Sequence, residues 1–238
     1  MSAPYYHRVS VFIFCGETPL LLPVLYSFRR CPYAIRARYV LAQLDVKVSL
    51  REVVLKSKPE ALLALGSRST VPQLIDTDGQ RYPESMDIIY WALERTQRSD
   101  LKTFIWPASL QQQYKIRVWI TYNDQVFKYW LDRYKYADRH PEFSESYYRD
   151  KGCIFLQRLN KRLSQRRYLF GEEMSLVDMA LFPFIRQFAG VDRAWFDASS
   201  YENVKAWLES FTESSLFKEV VMPKLPPWEE GCEGIVFP

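Results

Sequence analysis

The spacing of the apolar residues changes near residue 95, and this change restricts the chain to a fold with two different parts. Before residue 95, short apolar runs typical of β-strands alternate with stretches of helical spacing. After it the strand pattern stops, and apolar residues recur at intervals of three and four over long stretches. The pattern predicts an α/β domain followed by an all-α domain.

Four strands are predicted in the first part. The first ends near Tyr26, and a helix that opens at Cys31-Pro32 follows it. The second covers residues 46–54, and the third begins at Val71. Residues 76–80 have the composition of a tight hairpin turn, which leads into the fourth strand. This order is that of an α/β domain with a late hairpin.

The second part contains several long helices and no strand signal. A helix is expected around residues 116–134, another over 143–163, and a third that begins at Ser175 with Asp178 completing its capping box. The domain boundaries predicted from these changes are an N-terminal extension (residues 1–22), an α/β domain (23–95), a linker (96–108), an all-helical domain (109–222) and an extended C-terminal tail (223–238).

Charge and composition exclude several classes of function. Lys and Arg outnumber Asp and Glu by 32 to 28 and are scattered along the 238 residues, so nucleic acid is not an expected partner. No apolar stretch is long enough for a transmembrane helix, so no membrane partner is expected either. His7 and His140 lack partners at ligand spacing, so neither a metal site nor a Ser-His-Asp triad is expected.

The cysteines indicate a reducing compartment. They lie far apart and lack the density of a disulfide scaffold: Cys15, Cys31, Cys153 and Cys232. The expected location is therefore the cytoplasm.

Cys31 is the strongest candidate for a reactive residue. The thiolate is the nucleophilic form of cysteine, and the unpaired N–H groups at a helix N-terminus favour it. Cys31 stands at such a point, because Pro32 fits the first helical position and Arg29 and Arg30 add positive charge nearby. The placement alone fits both a reactive and a structural cysteine.

The residues around Cys31 resemble the start of omega-class and related bacterial glutathione transferases. The similar stretch is Leu-Tyr-Ser-Phe-Arg-Arg-Cys-Pro-Tyr-Ala at residues 25–34, with Arg36 and Arg38 after it. The resemblance continues, in the family's order and spacing, at residues 55–60, 70–74, 83–86, 175–178 and 180–184. It covers about residues 23–222.

This resemblance implies a thioredoxin-like N-terminal domain that binds glutathione as co-substrate. The helical domain would supply the pocket for a small-molecule or glutathionylated substrate, and the protein would form a homodimer. Val71 and Pro72 resemble the family's cis-proline turn, whose backbone pairs with the cysteinyl part of glutathione. Glu84 and Ser85 would hold the γ-glutamyl group, and Lys58 would bind the glycyl carboxylate.

The expected activity is glutathione-dependent thiol transfer or reduction, in which Cys31 forms a mixed disulfide with glutathione. Ala34 stands where a C-x-x-C motif has its second cysteine, which favours a mechanism with a single thiol. Three alternatives remain: a conjugating glutathione transferase, a binding or regulatory protein on the same fold, and a membrane-inserting relative similar to the chloride intracellular channel proteins.

Overall fold

A five-stranded mixed sheet forms the N-terminal part of the protein, whose computed structural model describes residues 21–66 and 69–238. The strands are β1 (Val24–Ser27), β2 (Val48–Glu52), β3 (Gln73–Ile75), β4 (Arg81–Tyr82) and β5 (Ile235–Phe237). Their order in the sheet is β4-β3-β1-β2-β5, in which only β1 and β2 are parallel. The predicted thioredoxin-like fold is confirmed, with one strand more than expected. The expected extension falls almost wholly outside the described residues, as does Cys15.

Helix α1 is buried on nearly all sides. The helices of this part are α1 (Pro32–Gln43), α2 (Glu60–Leu63) and α3 (Ser85–Arg95). Even the polar side chains of this helix are enclosed, since Arg36 and Arg38 are both only 2% exposed. The reason is that α1 packs against the C-terminal part as well as against the sheet.

The C-terminal part is all-helical, as predicted. Its helices are α4 (Ser99–Ile105), α5 (Leu110–Tyr122), α6 (Lys128–Lys135), α7 (Glu145–Leu163), α8 (Leu176–Ala189), α9 (Arg193–Ala198) and α10 (Glu202–Thr212). A π-helical turn, Asn123–Phe127, joins α5 to α6 within the stretch predicted as one long helix. The stretch expected as a linker contains α4. Within the described residues, no helix combines the length and apolar composition needed to cross a bilayer.

One apolar core runs through both parts of the protein. Tyr39 of α1 meets Phe182 of α8 edge to face, with ring centroids 5.0 Å apart. Phe182 in turn stacks on Phe211 of α10 at 4.5 Å. The buried aromatic contacts therefore fix the helix that follows Cys31 against the helical part.

The C-terminal tail supplies the fifth strand. Residues 235–237 pair antiparallel with residues 48–50, and the Phe237 side chain is only 5% exposed. Gly234 permits this approach, because a Cβ there would lie 2.3 Å from Ser49 Oγ. The tail thus covers an edge of the sheet that would otherwise be unpaired.

Trp228 anchors the tail earlier along its length. Its backbone N–H donates to the carbonyl of Glu52 at 2.9 Å, and the Arg51 guanidinium lies 4.1 Å from its ring centroid. Leu225 and Pro227, just before it, line the cleft described next.

Candidate active site

A cleft of about 2150 Å³ lies between the N-terminal part and the helical part. Its lining includes every residue that the sequence predicts for the site: Cys31, Lys58, Val71, Pro72, Glu84 and Ser85. The fold thus brings together residues spread over more than fifty positions.

Cys31 is the N-cap of α1. Its backbone is extended, with φ −72° and ψ 123°, and Pro32 occupies the first turn of the helix as predicted. The half-buried side chain places Sγ 3.5 Å from the carbonyl oxygen of Val71, to which the thiol donates. The sulfur is thereby held beside the backbone of the Val71-Pro72 turn.

The charge state of Cys31 differs from the sequence expectation. Burial raises the pKa of the Cys31 thiol, and this effect outweighs the N–H groups of Ala34 and Tyr33 and the positive charges of Lys128 and Arg38, all of which lower it. Helix position alone indicated a lowered pKa. Burial in the cleft thus favours the neutral thiol, which is the form that donates to Val71.

Val71 and Pro72 form the turn that the resemblance implied, and the peptide bond between them is cis. The Val71 carbonyl accepts a hydrogen bond from the Cys31 thiol. The Val71 N–H has no hydrogen-bond partner among residues 21–66 and 69–238. Such a backbone segment can pair with an extended peptide.

The start of α3 carries the next two predicted residues. Glu84 is the exposed N-cap, and Ser85 is the buried first residue of the helix. Ser85 Oγ accepts a hydrogen bond from Arg36 Nε at 2.9 Å, so its own proton remains available to an acceptor in the cleft. Lys58 is half-buried, and its Nζ donates to Ser69 Oγ at 3.2 Å.

Arg36 and Asp124 form an ion pair that the sequence reasoning missed. The guanidinium makes two bonds to the carboxylate, Nη1 to Oδ1 at 2.9 Å and Nη2 to Oδ2 at 2.8 Å. Asp124 lies in the π-helical turn between α5 and α6 and lines the cleft. Together with the bond to Ser85, this pair links α1, α3 and the helical part at the candidate site.

A second buried arginine holds the loop before Cys31. Arg38 donates from Nη1 to Ser27 Oγ at 2.6 Å and from Nη2 to the Arg29 carbonyl at 2.7 Å. Burial lowers the pKa of Arg38 to about 10, and the nearby Glu52 carboxylate, 3.8 Å from Nη1, opposes this effect. The sequence signal that could have found both arginines is their position among the apolar residues of α1, because a charge buried there requires a partner.

Comparison with known proteins assigns the family. The model described as "Glutathione S-transferase, N-terminal domain" matches residues 25–99, and "Glutathione S-transferase, C-terminal domain" matches residues 155–210. The two matches together cover more than half of the chain. The protein therefore belongs to the glutathione S-transferase family. A search of curated proteins gives no match.

Solved structures show the same fold at low sequence identity. A glutathione S-transferase from Methylobacillus flagellatus with glutathione bound is 22% identical, with a TM-score of 0.69 over 85% of this chain and 100% of that one. A family member from Pseudomonas fluorescens with two glutathione bound is 18% identical, with a TM-score of 0.67 over 83% and 91%. A tau-class enzyme from mango is 20% identical, with a TM-score of 0.68 over 85% and 93%. These similarities establish the fold, and they do not select the omega class.

Proposed function

We propose that this protein is a glutathione-dependent thiol transferase of the cysteine type, in which Cys31 is the nucleophile. The observation that carries the proposal is the 3.5 Å distance from Cys31 Sγ to the Val71 carbonyl oxygen. A glutathione paired with the Val71 backbone would have its sulfur next to this thiol.

The proposed reaction consists of two thiol–disulfide exchanges. The Cys31 thiolate attacks the glutathione sulfur of a substrate disulfide, the substrate S–S bond breaks, and the other half leaves as a thiolate that takes up a proton. A second glutathione, as thiolate, then attacks the mixed disulfide on Cys31. Oxidised glutathione leaves, and Cys31 is regenerated. Glutathione is the reductant, so the overall reaction balances.

The ends of glutathione match the remaining predicted residues. The exposed carboxylate of Glu84 suits the γ-glutamyl ammonium group, and the Ser85 hydroxyl can donate to the carboxylate beside it at the start of α3. Lys58, which also lines the cleft, suits the glycyl carboxylate. Bound glutathione would also donate a hydrogen bond to the Val71 carbonyl. The Cys31 thiol would then lose the acceptor to which it donates in this structure.

One observation favours glutathione conjugation as a second candidate. Because burial raises the pKa of the Cys31 thiol, the protein without a ligand contains a hydrogen-bond donor that could stabilise a bound glutathione thiolate without bonding to it. Conjugation would need an electrophile and would form no mixed disulfide.

A homodimer in the reducing cytoplasm completes the proposal. Three large apolar side chains on α4 and α5 are exposed by more than half, namely Phe104 (57%), Leu110 (78%) and Tyr114 (67%). An exposed apolar surface of this kind is typical of a subunit interface. Sedimentation at several concentrations would show a dimer, and a monomer at all of them would contradict this part.

The Cys31→Ser variant separates the two candidates. The thiol-transfer proposal requires that this variant lose reduction of a glutathionylated peptide and still bind glutathione, because binding depends on Val71, Glu84 and Ser85. Mass mapping after brief treatment of the wild-type protein with oxidised glutathione should place one adduct on Cys31. Retained thiol transfer, or an adduct on the exposed Cys232, would refute the mechanism.

A further inference from the structure

The cleft has more room and more positive charge than one glutathione requires. Its volume of about 2150 Å³ is roughly twice the upper end of the range for small-molecule pockets. Ten basic and six acidic side chains line it. The excess of basic groups suggests a second anionic molecule.

Arg186 is a basic residue of the cleft that lacks an acceptor among the described residues. It lies on α8, is half-buried, and its guanidinium lies 5.5 Å from the ring centroid of Phe217. No hydrogen bond or ion pair involves the Arg186 guanidinium in the part of the chain that the structure describes. A half-buried guanidinium has lost part of its water without gaining an acceptor.

A second arginine lies close to it. Burial lowers the pKa of Arg186, and the like charge of Arg29 lowers it further. Arg29 precedes Cys31 by two residues, and the one hydrogen bond of its guanidinium to a described residue is a long one, from Nη1 to the Met222 carbonyl at 3.4 Å. Both guanidiniums line the cleft and lie against the same short segment, Arg186 at the Phe217 ring and Arg29 at the Met222 carbonyl.

The carboxylates on this side of the cleft already have partners. Glu52 Oε1 accepts the Arg29 backbone N–H at 2.7 Å, and Oε2 lies 3.8 Å from the Arg38 guanidinium. Glu213 is paired with Lys218. The Glu52 carboxylate is thus held by the Arg29 backbone and by Arg38, and neither acid bonds to the Arg186 guanidinium.

We propose that Arg29 and Arg186 bind a carboxylate on the leaving half of the substrate disulfide, so that the preferred substrates are mixed disulfides of glutathione with anionic thiols. This inference rests on the proposed thiol-transfer function and specifies its substrate class. A carboxylate between two guanidiniums would accept charge-assisted hydrogen bonds from both and relieve their mutual repulsion. Neither arginine is among the residues proposed for glutathione binding, and both line the same cleft.

The test uses three mixed disulfides that share the glutathionyl half and release a small thiol of different charge. Each rate is divided by that of the uncatalysed exchange with glutathione, because the pKa of the leaving thiol also affects its reactivity. The leaving thiols are 3-mercaptopropionate (anionic), 2-mercaptoethanol (neutral) and cysteamine (cationic). Reduction by the full chain is followed as formation of oxidised glutathione, and kcat/KM is compared. We expect the anionic substrate to be preferred over the neutral one by about tenfold or more, the size of a charged hydrogen bond.

Arg186→Met should lose this preference and keep its kcat/KM for the neutral substrate, whereas Arg186→Lys should retain part of it. Arg193→Met is the matched control, because Arg193 also lines the cleft but is already paired with Asp197 at 2.8 Å. The control should keep the wild-type preference. Thermal melts establish whether each variant is folded. If Arg186→Met does not fold, Arg186→Lys provides the test.

Two results would overturn the inference while leaving thiol transfer intact. One is equal kcat/KM of the wild-type protein for the three substrates, and the other is a uniform loss in Arg186→Met. If the wild-type protein reduced none of the three, the proposed function itself would be wrong, and the inference would fall with it.

Discussion

Replacing Asp124 tests the link between the helical part and the glutathione site. The Arg36 side chain is 2% exposed and Asp124 is 24% exposed, and the two form parallel hydrogen bonds of 2.8 and 2.9 Å. Asp124→Asn removes the negative charge and leaves the Arg36 guanidinium facing an amide. The change keeps the size of the side chain, so the loss of charge dominates the effect.

The magnitude follows from the burial of the pair. Breaking a fully buried ion pair costs about 3–5 kcal/mol, because the remaining charge is stranded away from water. Since a quarter of the Asp124 side chain contacts solvent, we expect the free energy of unfolding to fall by about 2–4 kcal/mol. Arg36 Nε also holds Ser85 Oγ at 2.9 Å, so glutathione affinity should fall by about fivefold, the equivalent of one ordinary hydrogen bond.

Urea denaturation followed by tryptophan fluorescence measures the first effect, and calorimetry with glutathione measures the second. Asp132→Asn is the control, because Asp132 is 40% exposed in its pair with Lys128 on α6 and should contribute less than about 1 kcal/mol. If Asp124→Asn destabilised the protein no more than Asp132→Asn does, the buried pair would not have the structural role described above.

Glu84→Ala or Ser85→Ala should weaken glutathione binding by about 1–3 kcal/mol, because a charged group of the ligand loses its partner; an unchanged calorimetric affinity would exclude the residue from the site. Ser175→Ala should lower the free energy of unfolding by about 0.5–2 kcal/mol, because the Ser175 hydroxyl donates to the buried Asp178 carboxylate at 2.9 Å at the start of α8. A melting temperature equal to that of the wild type would show that this bond contributes nothing. Since burial raises the pKa of Cys31, the ultraviolet thiolate absorbance of the protein without glutathione, measured against Cys31→Ser, should still increase above pH 9. A thiolate signal already complete at neutral pH would contradict that shift.

The order of strands and helices could be predicted because it depends on local patterns. The strand at β1, the helix opened by Cys31-Pro32 and the turn at Val71-Pro72 each depend on a few neighbouring residues. The capping sequence at Ser175 is also local. The Asp178 carboxylate, however, accepts hydrogen bonds both from Ser175 and from the distant Trp207 indole, the latter at 3.0 Å.

The features that the sequence analysis did not predict depend on residues that are far apart in the chain. Arg36 and Asp124 are 88 residues apart, and no local pattern at either position indicates the other. The thiol pKa was mispredicted for the same reason, because helix position is local whereas burial of Cys31 depends on the whole cleft. Strand β5 contains only three residues within a stretch rich in proline and glycine, for which the sequence predicts an extended tail but no pairing with the sheet.

The pairing of β5 with β2 has a consequence for the order in which the protein can fold during synthesis. A ribosome makes residues 24–95 first, but the strand that covers β2 leaves it only after the whole helical part. Until then the backbone N–H and C=O groups along the outer edge of β2 remain open to pairing with another chain. The part of the protein that is synthesised first is therefore completed last, and a nascent or truncated chain that ends before residue 235 exposes an edge prone to aggregation.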